Sequence, residues 1–469
     1  MTSWFATERP TSKILAQLTS HVATRAILLA STVIVARTVG VAGYGLFALG
    51  LVFYQAGLLL RDAGLGQALI ILGGANARMT WRAFVAASVI GVCLAVLIAS
   101  LSEAATALLG MPEAAPVLKV LALAFGIGSL GIASNATLER DLRFTARATV
   151  EVSSYVSLGV VTVAGLYLGW GAFALAWGYV AQGSVQAALA IALEPPWRHR
   201  AHGTMRLRSL VRYGGLLWGS AVLTYLVTNL DNVAVAALGG ASAIGAYALS
   251  YTVGTMIAIS LAQVLNRVAL PYYARAVDHA ARLATFDSVV RLSTALAILA
   301  AAPVIVLAPE IRDQLLGPTA SHVTLAILAA YGIVRAVGVA IGTALNGSGA
   351  ARPVTLAAAM NTGLVAALVV PGYRIAGTIG VAIVVLVSLA GSIVLLRAAI
   401  HRHGASLAFL GTPAIGLTLL VLLVVGPLGP TPVIVRVAAG TSATILAAAW
   451  AWRIVRTGRL GVPAATNAT

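Results

Sequence analysis

The sequence predicts an all-α polytopic membrane protein, and three observations carry that prediction. Of 469 residues, 60% are hydrophobic and only 9% charged, with a mean hydropathy of +0.97, far outside the range of soluble globular chains. Apolar runs of roughly 20 residues recur along the whole length, each long enough to cross a hydrocarbon core of about 30 Å as a helix. The shorter segments of alternating polarity that a membrane barrel needs do not occur in the pattern.

Taken in order, spans are expected near 14–37, 43–61, 82–102, 116–136, 150–168, 171–193, 213–238, 244–266, 289–308, 321–345, 354–371, 375–397, 406–426 and 432–452, about fourteen transmembrane helices in all. Glycine, proline or charge clusters punctuate most junctions. The first helix runs into a turn holding Gly40, Gly43 and Gly45, and the second ends in Arg61 and Asp62. The placement of basic residues tests the count, because Lys and Arg concentrate in cytoplasmic loops. With the N-terminus inside, 23 of the 30 Lys and Arg fall on cytoplasmic segments and adjoining span ends, and only Arg37, Lys119, Arg312, Arg374 and Arg436 fall outside. Arg25 and Arg335 lie deep within spans. Both termini are therefore expected in the cytoplasm, in a multi-pass protein of the inner (plasma) membrane.

The net charge of +17 would suggest nucleic acid in a soluble chain. Here the charges sit in short loops against membrane lipids, and no nucleic-acid partner is expected. Loops of at most about 25 residues leave no room for a soluble catalytic domain. The lone cysteine, Cys93, excludes an intramolecular disulfide or a cysteine metal cluster, and is expected as a small core residue. Arg25 interrupts any signal-peptide apolar region, so the first span is expected to be retained.

The halves repeat. A shift of 200 residues aligns Thr24 with Thr224, Val35 with Val235, Gly40 with Gly240, Gly45 with Gly245 and Leu49 with Leu249. Six spans separate the copies, so both have the same orientation. That implies two six-helix lobes, 1–200 and 201–400, related by a pseudo-two-fold axis along the membrane normal, with 401–469 adding two C-terminal helices and a cytoplasmic tail.

Polar stripes mark the first helix of each lobe: Gln17, His21, Thr24, Arg25, Ser31 and Thr32 in the first span, and Thr224, Thr228, Asn229, Asp231 and Asn232 in the seventh. In lipid such a stripe faces the bundle interior or water, and the two are expected to look at each other. An arginine at the bilayer centre costs about 2.5–3.5 kcal/mol on insertion scales, so Arg25 and Arg335 need a partner or a substrate. Arginine grips phosphate bidentately and stays charged when buried, which suits a diphosphate; an internal ion pair with Asp231 or Glu151 is the alternative. Asp231 is a candidate coupling site for H+ or Na+, or else a counter-charge. His21, Gln55, Asn229 and Asn361 complete the candidate substrate-binding set. No catalytic residue, metal-ligand spacing or cofactor motif is expected.

The run from Ala36 to Leu49 (ARTVGVAGYGLFAL), followed by Asp62 to Ile70 (DAGLGQALI), resembles the amino-terminal signature of bacterial polysaccharide and lipid-linked oligosaccharide flippases, within the multidrug, oligosaccharidyl-lipid and polysaccharide exporter superfamily. Leu138 to Phe144 (LERDLRF) and Asp231 through Gly240 to Leu249 resemble it further. The resemblance implies two six-helix lobes around a cavity and alternating access that carries a polyprenyl-diphosphate-linked glycan outward for cell-envelope or exopolysaccharide assembly. It implies cavity arginines on the diphosphate, with Arg25 where the first helix supplies one. Asn232 stands where the family often has a basic residue. A cation antiporter of the same fold and a polytopic enzyme on lipid-linked sugars are the alternatives. The chain is expected to act as a monomer.

Overall fold

The structure is a computed structural model and describes residues 10–62, 78–141, 143–199, 207–275, 279–317, 319–347, 351–402 and 447. Among them there is helix and turn, and no strand. The longer elements are α1 (Pro10–Asp62), α2 (Arg78–Leu108), α3 (Ala115–Ser129), α4 (Ile132–Arg140), α5 (Phe144–Tyr167), α6 (Phe173–Leu193), α7 (Leu207–Arg275), α8 (His279–Val306), a single turn α9 (Ala308–Ile311), α10 (His322–Gly347) and α11 (Ala351–Arg402).

Eight stretches of described helix are long and apolar enough to cross a membrane. Three of them, of 39, 36 and 47 residues, would each exceed 50 Å at about 1.5 Å per residue, well beyond one hydrocarbon core. Each is broken inside: α1 at Gly40, α7 at Gly240, and α11 at Ala376 and Gly377. The first two breaks fall where the sequence expects the turns after spans one and seven, and the third lies just inside the expected start of span twelve. Gly40 (φ 81, ψ 166) and Gly240 (φ 68, ψ −165) share a backbone region that is essentially reserved for glycine. The fourth expected span is interrupted at Leu130 and Gly131, where α3 gives way to α4. The thirteenth and fourteenth expected spans lie outside the described residues, apart from Ala447.

The chain divides into two compact units, Met1–Ala246 and Tyr247–Thr469. In the first unit, the segments after the Gly40 and Gly240 breaks meet reciprocally. A Cβ on Gly45 would run into the carbonyl oxygen of Ala241, and one on Gly245 into that of Val41. All four residues obey the 200-residue shift, so the internal repeat is expressed as a symmetric backbone contact. In the second unit, α8, α10 and α11 close around Val290, Ile341, Leu345 and Leu396.

Cys93 is a correction: it is exposed. It shares the outer face of α2 with Val89, Val92, Val96 and Leu97, all exposed. In a membrane span an apolar face turned to lipid has the same composition as one turned to protein, so sequence alone does not separate the two.

The LERDLRF stretch forms an ion-pair cluster. Glu139 pairs with Arg147 at 2.9 Å, Arg140 with Asp141 at 2.7 Å, and Arg143 with Glu194 at 2.8 Å. Arg143 Nη1 also donates to the Leu193 carbonyl at 3.3 Å, at the C-terminal end of α6, where a cation suits the helix dipole. Arg143 thus ties the start of α5 to the end of α6. Arg143→Ala is expected to lower stability by about 1 kcal/mol, since the arginine is partly in solvent and its charge is screened there. Thermal unfolding of the detergent-solubilised protein reads this as a fall of about 2 °C that shrinks in high salt.

Candidate functional site

The site is built inside the first unit. Arg25 lies on the first limb of α1 and is half-buried. Among the described residues it has no ion-pair or hydrogen-bond partner. The same holds for the half-buried Glu151 side chain of α5, so the internal pair between Arg25 and Glu151 that the sequence left open is not formed. Of the first stripe, Thr24, Ser31 and Thr32 are buried, and a Cβ on Gly159 of α5 would meet Ile27 and Ser31; the side chain of Gln17 lies outside the described residues. Tyr155 of α5 and Arg25 both lie within electrostatic reach of Tyr179 on α6.

Gln55 lies on the second limb of α1, next to Tyr54. It is half-buried and makes no hydrogen bond among the described residues. Beside them stands Tyr179 of α6, whose ring packs 5.4 Å from Tyr54 at 81° and 5.6 Å from Phe47. Its hydroxyl feels the charge of Arg25 and the phenols of Tyr155, Tyr54 and Tyr44. Four helical segments therefore deliver one guanidinium and several phenols to one interior.

Two further side chains continue this surface. Gln182 and Gln186 follow Tyr179 at i+3 and i+7, on the α6 stripe between the face that packs on Ala124 through Gly183 and the face that packs on Leu158 through Gly178. Both are half-buried and without hydrogen-bond partners among the described residues. The opposite side of α6 carries Trp177 and Ala188, both exposed. The sequence reading passed over Tyr155, Tyr179, Gln182 and Gln186. The available signal was two glutamines and a tyrosine at helical spacing within an apolar span, and no repeat or motif drew attention to it.

Asp231 on α7 is buried, at 2% exposure. Its Oδ1 accepts the Asn232 backbone N–H at 2.9 Å and the Asn232 amide at 3.3 Å. Asn229 turns its amide inward to its own helix, donating to the Tyr225 carbonyl at 3.2 Å and the Thr228 hydroxyl at 3.0 Å. One turn earlier, the Tyr225 hydroxyl donates to the Val52 carbonyl at 2.9 Å, joining α7 to the second limb of α1.

The other candidates are placed separately. The His21 side chain lies outside the described residues. In the second unit, Arg335 of α10 is half-buried and its Nη1 donates to the Tyr331 hydroxyl at 3.3 Å. The Tyr331 ring packs 5.9 Å from that of Tyr251. Asn361 of α11 is 4% exposed, and its Oδ1 is buried without a hydrogen-bond partner. No group of three His, Cys, Asp or Glu that could hold a metal ion occurs among the described residues.

Residues 34–320 match the profile of a family described as polysaccharide biosynthesis protein, more than half of the chain. The lipopolysaccharide biosynthesis protein WzxC of Escherichia coli is 27% identical over 196 residues, 41% of this chain and 39% of that protein. The teichuronic acid biosynthesis protein TuaB of Bacillus subtilis is 23% identical over 223 residues, 46% of this chain and 45% of that protein. Each match thus spans less than half of the relative. Among solved structures, the lipid II flippase MurJ in an inward closed conformation aligns with a TM-score of 0.73 at 14% identity, covering 95% of this chain and 100% of that one. An inward-facing multidrug resistance MATE transporter aligns at 0.61 and 16% identity, covering 85% and 99%. These likenesses establish the fold, an all-α polytopic membrane protein.

Proposed function

The chain belongs to the polysaccharide biosynthesis protein family, and on that premise we propose that it is a flippase. It moves a polyprenyl-diphosphate-linked oligosaccharide from the cytoplasmic to the outer leaflet by alternating access, for cell-envelope or exopolysaccharide assembly. The observation that carries this reading is Arg25: a half-buried guanidinium inside a membrane span with no protein carboxylate to neutralise it among the described residues. A permanent cation in that setting calls for an anion, and a diphosphate matches its planar fork. A fixed guanidinium at that position would repel the substrate of a cation antiporter. The work is transport rather than bond chemistry, so the protein is not an enzyme on this reading.

The remaining assignments belong to the same proposal. Arg25 and Gln55, with His21, hold substrate from the 1–200 lobe, and Arg335, Asn229 and Asn361 from the 201–400 lobe. Asp231 takes the coupling H+ or Na+. The protein sits as a monomer in the inner membrane with both termini cytoplasmic. The test reconstitutes the purified chain in vesicles and follows a fluorescent polyprenyl-diphosphate oligosaccharide between leaflets. Movement many-fold above protein-free vesicles is the expected result, and movement at the protein-free rate overturns the proposal. For coupling, Asp231→Asn is expected to make that rate indifferent to an imposed proton or sodium gradient. A variant that still responds to the gradient as the parent does removes Asp231 from the coupling step.

A further inference from the structure

The unpartnered side chains of α5 and α6 carry the argument beyond the diphosphate. These helices are antiparallel, joined through Gly169 and Gly171, both at positive φ. Their register is fixed at two points: Gly178 meets Leu158, and Ala190 packs with Val150. Between those points, Glu151 is level with Gln186 and Tyr155 with Gln182. The surface from Tyr179 to Gln186 runs about 10 Å along the helix axis and begins beside Arg25.

None of Glu151, Gln182 and Gln186 has a hydrogen-bond partner among the described residues. Within a bilayer such groups face a water-filled cavity or a ligand, because lipid cannot satisfy them. Their chemistry is also specific. Two amides supply donors and acceptors without charge, and a carboxylate accepts from two hydroxyls at once. The tyrosines add flat apolar faces with a polar tip. Such a set suits the hydroxyls and C–H faces of a pyranose, whereas a second phosphate would call for cations.

We propose that Glu151, Gln182 and Gln186, with Tyr155 and Tyr179, form a subsite for the sugar attached to the diphosphate, and that Glu151 selects a neutral sugar over an acidic one. This rests on the flippase reading: Arg25 anchors the diphosphate, and the sugar extends along α6 toward the cytoplasmic end. A carboxylate without a basic partner repels a second carboxylate, which makes Glu151 a means of rejection as well as of recognition. Each lost amide contact is worth about tenfold.

The experiment compares three lipids in vesicles holding the full chain: a polyprenyl diphosphate bearing one neutral hexose, one bearing a uronic acid, and one bearing no sugar. The parent is expected to move the neutral-sugar lipid about 100-fold faster than the uronic-acid lipid. Glu151→Gln, which keeps the shape and removes the charge, is expected to bring that ratio to about tenfold or below. Gln182→Ala with Gln186→Ala is expected to slow the neutral-sugar lipid at least tenfold more than the sugar-free lipid. Size-exclusion profiles of each variant establish that it is folded. Equal rates for the neutral and acidic lipids in the parent, an unchanged ratio in Glu151→Gln, or equal slowing of sugared and sugar-free lipids in the glutamine variant each overturn the subsite while leaving the flippase reading in place. Failure of the parent to move any of the three overturns both.

Discussion

Arg25→Ala is expected to lower movement of a polyprenyl-diphosphate-linked glycan by about 100-fold or more, while the protein still reaches the membrane and purifies as a folded species. Two charge-assisted hydrogen bonds from one guanidinium are worth about 1.5–3 kcal/mol each. Every 1.36 kcal/mol of lost stabilisation is about tenfold in rate. The effect is purely functional because Arg25 holds no protein partner among the described residues, so its removal leaves no carboxylate unpaired. It also removes a charge from the membrane interior, and thermal stability is expected to hold or rise. Arg25→Lys keeps the charge without the bidentate fork and is expected to fall between the two. Leaflet-to-leaflet transport in vesicles, normalised to protein incorporated, checks all three; alanine transport equal to the parent would remove Arg25 from substrate contact.

The second large effect falls on stability. Gly45→Val and Gly245→Val are each expected to prevent recovery of monodisperse protein or to lower its unfolding temperature sharply. At both positions even a single methyl would collide with a carbonyl oxygen across the contact, and backbone carbonyls within helices cannot give way as a flexible side chain can. Overpacking of this kind costs about 1–3 kcal/mol, and more when backbone must move. Gly40→Ala makes the control, since nothing lies within 4 Å of its added Cβ and only its positive φ is strained, at about 1–3 kcal/mol. The ordering in thermal unfolding is therefore Gly45→Val below Gly40→Ala below the parent. A Gly45→Val protein as stable as the parent would mean that the two segments do not approach as closely as the structure has them.

The two predictions treat different kinds of legibility. Gly40, Gly45, Gly240 and Gly245 were visible in the sequence because glycine in an apolar chain is punctuation, and a repeat of punctuation at a fixed shift is hard to obtain from composition alone. The long helices were visible because a span in lipid needs a fixed length of apolar residues. Arg25 was visible because charge in a span is rare. Its surroundings were not. Tyr179, Gln182 and Gln186 are unremarkable residues within a span, and their role depends on which sector of α6 faces Tyr54 and Arg25 and which faces lipid. Cys93 shows the same limit from the other side, as an apolar position assigned to the core that lies on an exposed face.

Sequence by itself determined the solvent, the secondary structure, the repeat and the presence of a cation within a span, because each follows from the composition of short segments in a hydrocarbon medium. Tertiary structure alone decided whether Arg25 is already neutralised by Glu151, that the two glycine turns lock against each other through Val41 and Ala241, and which polar side chains are left without partners. Those are questions of distance between helices far apart in sequence, set by the rotation and register of each helix as it packs, and in a membrane the hydrophobic pattern that fixes rotation in water no longer distinguishes inside from outside.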